Sequence, residues 1–418
     1  MQSKTLHLSD DDIVVGVDLA STSHSVVIMD RTGKRLTRFQ VAHSRDGIAE
    51  LIRRSRPHAW GRERGRALFA FEATGHVWES VAQALDQAQL PYRLVNPLAT
   101  YRIREAKHLD RDKRDITDAE QIADLLRMGY VTETQLNPVG YVDLRRLWGE
   151  YSRPRSERAR LKTLVKHQLY GCFPELVRVW KDIFAPGPMC VLRLGLTPCE
   201  IAELPVAEFC RRARESSRGR RVWRPKLVQV HEWASRSVGG LSSARALSDE
   251  IQRITARVDL LSEQIEGLAG HIQQKLQALE EATHLQTLPG IGWVTVAGLI
   301  AQIGPIDKYA HGRQLVKLAG INPGRRESGQ SAGRTPMTHR GRAELRTVVY
   351  MATISSLQHN PRIRAHYDRL IQRPDRPLTK MAAIGACMTK FLHYAFAVMK
   401  HRRSFDVDHQ WQGGAKAA

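Results

Sequence analysis

The order of strands and helices predicted in residues 13–95 restricts the fold more than any other feature of this sequence. Apolar and alternating segments predict five strands, at 13–19, 25–29, 36–41, 67–73 and 92–95. Apolar residues at helical spacing predict two helices, at 45–54 and 76–88. Three strands in a meander followed by helix and strand in alternation predict an α/β layered domain with a mixed sheet.

Two carboxylic acids lie at the ends of apolar strands. Asp18 ends the run that begins at Val14, and Glu72 follows Phe69-Ala70-Phe71. The element order, with acids on the first and fourth strands, resembles that of the ribonuclease H-like fold. We therefore expect Asp18 and Glu72 to lie together at one edge of the sheet.

Two further acids, Asp115 and Asp118, follow a basic segment and begin a predicted helix. Their spacing of three places both on one helix face. With the two strand acids they would supply the oxygen ligands that hard divalent cations prefer. The alternative is helix capping, because Asp115 is a good N-cap and Thr117 and Glu120 fit a capping box.

The composition points to a polyanionic partner. The chain has 418 residues with 64 Lys and Arg against 43 Asp and Glu, a net charge of +21. This excess favours DNA or RNA as the partner, although a protein that only binds phosphates non-specifically would have the same excess.

The five cysteines include no CxxC pair, which excludes a disulfide framework or zinc ribbon and fits a reducing cytoplasm. We expect no signal peptide and no membrane span, since the N-terminus is polar and the apolar stretch near 293–301 is short.

A helix predicted over 141–170 has an apolar side and a basic side. The apolar side carries Leu144, Leu147, Trp148, Tyr151, Leu161, Leu164 and Val165. The basic side carries Arg153, Arg155, Arg158, Arg160 and Lys162. Charges of nearly one sign favour a helix that binds phosphates over a merely solvated face.

Residues 172–243 have no clear pattern and contain six prolines. Arg211–Lys226 holds eight basic residues and one acid, with Trp223 among them. Basic residues interleaved with an aromatic side chain suit single-stranded nucleic acid or RNA. A solvent-exposed insertion explains the composition equally well.

A heptad pattern follows, typical of a coiled coil about four heptads long. Its seam consists of Leu247, Ile251, Ile254, Val258, Leu261, Ile265, Leu268 and Ile272. The seam is narrow, which predicts one partner helix. That partner is either the 144–170 helix of the same chain or the same helix of another subunit.

Leu288-Pro289-Gly290-Ile291-Gly292 predicts a tight turn between two helices, as in a helix-hairpin-helix. Backbone N–H groups at Gly290 and Gly292, near a helix N-terminus, suit a DNA phosphate. The alternative is a plain helix connector.

Residues 320–331 predict a small, polar, flexible loop that contains Ser328. Nearby arginines would stabilise charge on a phosphorus under attack by a serine oxygen. They are Arg325, Arg326, Arg334, Arg340, Arg342 and Arg346. A structural Ser-Gly turn is the alternative, and Ser331 is a second candidate nucleophile.

Six motifs in order resemble those of the IS110 family, the insertion-sequence transposases with an N-terminal DEDD, RuvC-like domain and a C-terminal serine domain. The family includes the Piv DNA invertases and the bridge-RNA-guided recombinases. The motifs are Gly16-Val17-Asp18, Phe71-Glu72-Ala73-Thr74-Gly75, Asp115-x-x-Asp118-Ala119, Leu288-Pro289-Gly290-Ile291-Gly292, Ala319-Gly320-Ile321-Asn322-Pro323 and Glu327-Ser328-Gly329. Arg340-Gly341-Arg342 followed by Leu345-Arg346 also fits.

The resemblance implies a transposase or site-specific recombinase that cuts and rejoins DNA through a phosphoserine at Ser328. Asp18, Glu72, Asp115 and Asp118 would hold Mg²⁺, or Mn²⁺ in its place. Double-stranded target and donor DNA, a structured guide RNA and further copies of the chain would be its partners, as a dimer or as a tetramer in the synaptic complex. The heptad segment would join subunits, and the protein would act at the nucleoid of a bacterial cytoplasm.

Three segments are expected: a RuvC-like catalytic domain at 13–130, a basic helical and coiled-coil region at 141–283 with an insertion at 172–243, and a mostly α-helical domain at 284–402. By the same resemblance, the basic side of the 141–170 helix would bind nucleic acid, together with Gly290, Gly292 and the arginines around Ser328. One alternative function is a metal-dependent hydrolytic nuclease or Holliday-junction resolvase, in which Ser328 is only a turn residue. Another is an architectural nucleic-acid-binding protein, in which the four acids would have no catalytic role.

Overall fold

The structure, a computed structural model, forms two compact units that divide between Asn137 and Pro138. It describes residues 8–61, 64–72, 75, 77–97, 100–101, 115–133, 136–239, 243–324, 327–328, 331–332 and 337–407. At 58–59, 115–117, 132–133, 327–328 and 331–332 it describes the backbone alone.

The first unit contains a six-stranded mixed sheet in the order β3-β2-β1-β4-β5-β6. The strands are β1 (Ile13–Asp18), β2 (Ser23–Asp30), β3 (Arg35–Ala42), β4 (Ala67–Glu72), β5 (Tyr92–Val95) and β6 (Val131–Glu133). β1 and β5 pair in parallel with β4, and the other pairs are antiparallel. The five predicted strands are confirmed. β6 was not predicted, because three residues are too few for a pattern to be read.

Helices cover both faces of this sheet. They are α1 (Arg45–Arg54), α2 (Val77–Gln87) and α3 (Asp115–Arg127). One face packs the odd-numbered residues of β1, such as Val15 and Val17, against α1 and α2. The other face packs Val14 against α3. This mixed, helix-covered sheet agrees with the ribonuclease H-like arrangement expected from the sequence.

Two helices of 34 residues each, α4 (Val139–Cys172) and α10 (Ala244–Gln277), pack along each other in the second unit. The heptad positions Ile251, Val258 and Ile265 of α10 are buried. The partner of the heptad seam is therefore α4 of the same chain. Leu164, predicted on the apolar side of α4, is instead 42% exposed.

Residues 173–239 fold as a helical subdomain between these two long helices. Its helices are α5 (Pro174–Val179), α6 (Pro186–Leu194), α7 (Pro198–Glu203), α8 (Val206–Glu215) and α9 (Arg224–Ala234). They enclose a core that includes Phe209 and Val230, to which α4 and α10 contribute Leu169 and Ile254. The prolines that obscured the sequence pattern start helices here: four of the five helices have proline in the first turn, where its missing N–H costs nothing.

The rest of the second unit is helical, with one β-hairpin. The elements are α11 (Glu280–Leu285), α12 (Trp293–Ile303), α13 (Gly312–Ala319), β7 (Glu327–Ser328), β8 (Ser331–Ala332), α14 (Ala343–His359), α15 (Pro361–Ile371) and α16 (Lys380–His401). Their core also contains Trp148 of α4 and Ile272 of α10, so residues on both sides of position 283 share one core.

α16 has the length and composition of a membrane-spanning helix, as does no other helix in the described part of the chain. Half of its most apolar window is buried within the second unit, where Phe391 and Leu392 are fully covered. Its apolar character is therefore accounted for by packing against neighbouring helices.

Candidate active site

Strand pairing brings Asp18 and Glu72 together. β1 and β4 are parallel neighbours with Val17 opposite Phe71, and the acids are the next residues of both strands. Each acid is the last residue of its strand. Since parallel strands end at the same edge, the two half-buried carboxylates are neighbours at the carboxyl edge of the sheet.

Both acids lie on the sheet face that α3 covers. Side chains alternate between the faces of a strand, so Asp18 shares a face with Val14, and Glu72 with Leu68 and Ala70. Those three apolar residues pack with Ala119 and other residues of α3. The odd-numbered neighbours Val17 and Phe71 pack on the opposite face.

Gly16 lets α3 approach the sheet closely. A Cβ at Gly16 would lie 2.1 Å from the Ala119 carbonyl oxygen and 2.5 Å from the Ala123 nitrogen. The helix backbone thus rests on β1 two residues before Asp18. Only glycine leaves room for this contact.

α3 runs so that its N-terminal end lies near the strand acids. At its other end, the Arg127 guanidinium would lie 3.3 Å from a Cβ at Gly33, in the turn between β2 and β3. That turn adjoins the start of β1, since Ile13 pairs with Asp30. The first turn of α3, with Asp115 and Asp118, is therefore at the edge where Asp18 ends its strand.

The capping box that the sequence allowed, formed by Thr117 and Glu120, does not agree with where α3 begins. α3 already begins at Asp115, so Thr117 is inside the helix rather than at its N-cap. The Glu120 carboxylate lies 3.5 Å from the Arg35 guanidinium, in an exposed ion pair. Thr117 and Glu120 therefore do not form the capping box that the sequence allowed.

The four acids fit a hard cation by donor chemistry, since all are carboxylates and three are half-buried at one edge. Among the residues whose side chains are described, no three His, Cys, Asp or Glu groups converge closely enough to hold a metal ion. The side chain of Asp115 lies outside the described residues. A metal centre built from all four acids stays a prediction.

A pair of histidines that the sequence did not reveal, His24 fully buried and His43 half-buried, restrains the segment after Asp18. His24 is fully buried, and its Nε2 lies 3.0 Å from Nδ1 of His43. The Ala20 backbone N–H donates to Nδ1 of His24 at 3.4 Å. Burial, together with His43, lowers the pKa of His24 to about 4, so the ring stays neutral near pH 7. His24 lies in β2, just before the predicted strand 25–29, and a single histidine there gives no sequence signal for this role.

Ser328 lies in β7, which pairs with β8 in a short β-hairpin inside the segment predicted as a loop. Ser328 pairs with Ser331, Glu327 pairs with Ala332, and Pro323 bridges to Met337. The base is fixed, because the Thr338 N–H donates to the Asn322 carbonyl at 3.0 Å. The two candidate nucleophiles are thus directly opposite on the hairpin backbone. Their side chains lie outside the described residues, as do Arg325, Arg326 and Arg334.

The described arginines after the hairpin differ in whether their guanidinium groups are free to bind a phosphate or are used in hydrogen bonds to the backbone. Arg340 is exposed. Arg342 donates through its guanidinium to the Gln302 carbonyl at the end of α12, and burial lowers its pKa. Arg346 donates to the Ala319 carbonyl at 3.0 Å. Arg342 and Arg346 thus bind carbonyls at the ends of α12 and α13, while Arg340 faces solvent.

The basic side of α4 is also divided. Arg153, Arg155 and Arg160 are exposed, although Arg153 also donates to the Gly149 carbonyl at 3.0 Å and the Arg155 guanidinium lies 5.3 Å from the centre of the Tyr151 ring. Arg158 donates to the Ser262 hydroxyl at 3.0 Å, and the Lys162 ammonium lies 4.8 Å from the centre of the Phe184 ring. Burial, with Arg158 nearby, lowers the pKa of Lys162. Three of the five predicted cations therefore face solvent.

The two glycines before α12 have different environments. Gly290 has φ of +89°, and a Cβ there would lie 3.0 Å from the Ser355 carbonyl oxygen of α14. Gly292 is exposed, with open space around it, and is the N-cap of α12. Gly290 is therefore required by packing, and only Gly292 faces solvent.

A sheet with acids at its carboxyl edge, joined in one chain to a helical unit, is the arrangement expected of a DEDD transposase. The transposase family model DEDD Tnp IS110 matches residues 15–174, a range that contains all four acids. A second family model, described as transposase IS116/IS110/IS902 family, matches residues 282–368, a range that contains Gly290, Gly292 and Ser328. The chain belongs to this IS110/IS116 family of transposases, enzymes that cleave and rejoin DNA.

Relatives agree with this assignment. The chain is 24% identical over 410 residues to an uncharacterised 44.8 kDa protein of insertion element IS116 from Streptomyces clavuligerus, covering 94% of this chain and 96% of that protein. It is 31% identical over 151 residues to the pilin gene-inverting protein of Moraxella bovis, covering 35% and 46%. It is 28% identical over 94 residues to the transposase for IS1111A of Coxiella burnetii, covering 22% and 26%.

Proposed function

We propose that this transposase exchanges DNA strands through a phosphoserine at Ser328, with Mg²⁺ or Mn²⁺ held by Asp18, Glu72, Asp115 and Asp118. The observation that carries the proposal is the meeting of β1, β4 and the first turn of α3 at one edge of the sheet. Strand pairing holds β1 beside β4, and the contact at Gly16 holds α3 against β1. The acids on these three elements would therefore form a preorganised site. Ser328, on a hairpin with a fixed base, supplies the nucleophile.

The reaction conserves the phosphodiester bond. The Ser328 oxygen attacks phosphorus, its proton leaves to a base or water, and one deoxyribose oxygen departs as a hydroxyl. A hydroxyl of another strand then attacks the same phosphorus, which restores a phosphodiester and returns the proton to the serine. A bound divalent cation would neutralise charge that develops on the phosphate oxygens. Arg340, which is exposed beside the hairpin, is suited to the same phosphate.

Nucleic acid binding would use the exposed cations of α4 and the N-terminus of α12. Arg153, Arg155 and Arg160 face solvent and are suited to phosphates. Gly292 leaves the start of α12 open to a DNA backbone. The partners we propose are double-stranded target and donor DNA, a structured guide RNA and further copies of the chain, in a bacterial cytoplasm. Since the heptad seam is filled by α4, contacts between copies would use another surface.

Covalent trapping tests the nucleophile. Labelled DNA carrying an insertion-sequence end is incubated with protein and Mg²⁺, and adducts are separated on a denaturing gel. We expect an adduct with the wild type and with Ser331→Ala, and none with Ser328→Ala. Asp18→Asn should slow adduct formation at least about a hundredfold, a typical loss when charge stabilisation is removed.

The same experiment separates the alternatives. If Ser328→Ala still cuts DNA without an adduct, the protein is a hydrolytic nuclease and the serine proposal fails. If the adduct forms at Ser331 instead, the nucleophile is on the proposed hairpin, but its assignment to Ser328 is wrong. RNA guidance is tested separately, by sequencing RNA that co-purifies with the protein and supplying it in the strand-exchange reaction. Recombination that proceeds equally without RNA would exclude a guide.

A further inference from the structure

The cations of the helical subdomain are not equally available. Several are held by acids or carbonyls in the structure. Arg211 and Arg212 pair with Glu208, Arg218 pairs with Glu263 and Asp259, and the Lys226 ammonium donates to the Val179 carbonyl. The arginines of this group are paired with acids of the subdomain or of α10, and the Lys226 ammonium is bound by a backbone carbonyl.

A second group of cations has no such partner. Arg220, Arg221 and Arg224 are exposed, and within the described part of the chain their guanidinium groups make no ion pair or hydrogen bond. Trp223 lies among them and is 65% exposed. We call Arg220, Arg221, Trp223 and Arg224 the Trp223 patch. Arg214 is a fourth exposed cation of the 211–226 segment without a partner in the described residues, so three of these four cations lie around one exposed indole.

The Trp223 patch is held by an ordered backbone. Val222 packs against the core of the subdomain, and α9 begins directly after Trp223. On one side the Arg218 guanidinium is 2.7 Å from Glu263, and on the other the Lys226 ammonium is 2.5 Å from the Val179 carbonyl oxygen. These contacts hold the exposed indole of Trp223 and the neighbouring guanidinium groups together on an ordered part of the surface.

The chemistry of the patch matches an unpaired nucleotide strand. A base can stack on the exposed indole, and neighbouring guanidinium groups can bind the phosphates on either side of that base. In a duplex each base face is covered by the next base pair, so the indole would gain nothing there. We propose that the Trp223 patch binds single-stranded nucleic acid, with Trp223 stacking on one unpaired base.

This proposal is separate from strand exchange at Ser328. The patch lies between the segments matched by the two transposase family models, which end at 174 and resume at 282. None of its residues belongs to the acid cluster or to the hairpin. Loss of one activity therefore leaves the other open to measurement.

Fluorescence anisotropy on the full chain provides the test. The probes are labelled oligouridine RNA, oligothymidine DNA and a mixed-sequence DNA duplex, each about 12 units long, at about 0.2 M salt to weaken non-specific contacts. Trp223→Ala should weaken single-strand binding at least about fivefold and leave duplex binding unchanged. Trp223→Phe should retain part of the affinity, because a smaller ring still stacks. Arg211→Ala, in the same segment but ion-paired to Glu208, is the matched control and should have little effect.

The two single-strand probes distinguish the sources. Equal weakening means that the patch contacts base and phosphate alone, and weakening with RNA only means that the 2′-hydroxyl also contributes. A strand carrying 5-bromouracil should cross-link under ultraviolet light to a peptide that contains Trp223. The proposal is overturned if Trp223→Ala binds both single strands like the wild type while its thermal unfolding is unchanged, or if duplex binding falls equally. Ser328→Ala should bind the strands normally, so failure of the serine proposal is distinguishable from failure of this one.

Discussion

Single residues at the carboxyl edge of the sheet show how local chemistry is fixed by distant partners. Asp18 and Glu72 are 54 positions apart, yet the pairing of Val17 with Phe71 makes them neighbours. His24 restrains the segment after Asp18 through the Ala20 N–H and is itself held by His43. The acids were readable in the sequence because each ends an apolar run. The histidines were not, since their role depends on the tertiary fold.

His24 should make the stability of the chain depend on pH. Its pKa is about 4 when folded, against 6.5 ordinarily, so the unfolded chain binds the proton first as the pH falls. The free energy of unfolding should therefore fall from about pH 7 to about pH 4.5, by up to about 3 kcal/mol. Urea unfolding at several pH values measures this. His24→Gln, which cannot be protonated, should have a shallower pH dependence over this range.

Burial also lowers the pKa values of His366 and His393, so His24→Gln will keep some pH dependence from these other residues. The comparison is therefore between wild type and variant at each pH. Parallel curves for the two proteins would show that His24 is not the titrating group.

Elements followed sequence patterns where those patterns were long. The five strands of 13–95 and the helix α10, which contains the heptads, could be predicted from the sequence. In each of them the spacing of apolar residues continues over enough of the chain to identify the element. The helical subdomain was not, since its short helices begin with prolines that resemble chain breakers in isolation. The hairpin that carries Ser328 was also missed, because strands of two residues have no period. The close approach of α3 to β1 depends on the absence of a side chain at Gly16.

Gly16→Ala should separate α3 from β1. The new methyl would lie 2.1 Å from a carbonyl oxygen of the helix, and backbone cannot yield as a flexible side chain does. We expect a loss of about 1–3 kcal/mol or more in the free energy of unfolding, with a fall in DNA cleavage as Asp118 moves away. Chemical denaturation and the adduct assay measure the two effects.

A glycine in open space is the control for this change. Gly267 is inside α10, and a Cβ added there would have nothing within 4 Å, so Gly267→Ala should stabilise the chain by about 0.5–1 kcal/mol. If both substitutions had the same small effect, the close contact of α3 with β1 would not exist as described.

At the scale of the whole molecule, the chain consists of two units with separate cores. The four hydrophobic clusters of the described residues each belong to one unit, two within the first and two within the second. The candidate metal ligands belong to the first unit, and Ser328 and the Trp223 patch to the second. The sequence divided the second unit at 283, but α4 and α10 contribute to the core on both sides of that position.

Residues 138–418 should therefore fold without the first unit. Expressed alone, this segment should unfold cooperatively, within about 5 °C of the matching transition of the full chain, because it keeps both of its cores. Calorimetry and far-UV circular dichroism measure this. It should also bind single strands in a Trp223-dependent way while forming no metal-dependent adduct. A non-cooperative or unfolded fragment would show that the first unit is needed to stabilise the second.

The sequence by itself determined the local periods and the chemistry: the strand order of 13–95, the four acids, the heptad seam, the serine motif and the excess of positive charge. These are readable because strands, helices and motifs repeat or cluster over short distances along the chain. Only the tertiary structure decided which partners they meet. In the tertiary structure the heptad seam packs on α4, and the end of α3 that carries Asp115 and Asp118 lies near Asp18. The tertiary structure also determines which arginines have hydrogen-bond or ion-pair partners and which are exposed. Such choices depend on contacts between residues far apart in sequence, where no local pattern specifies the partner.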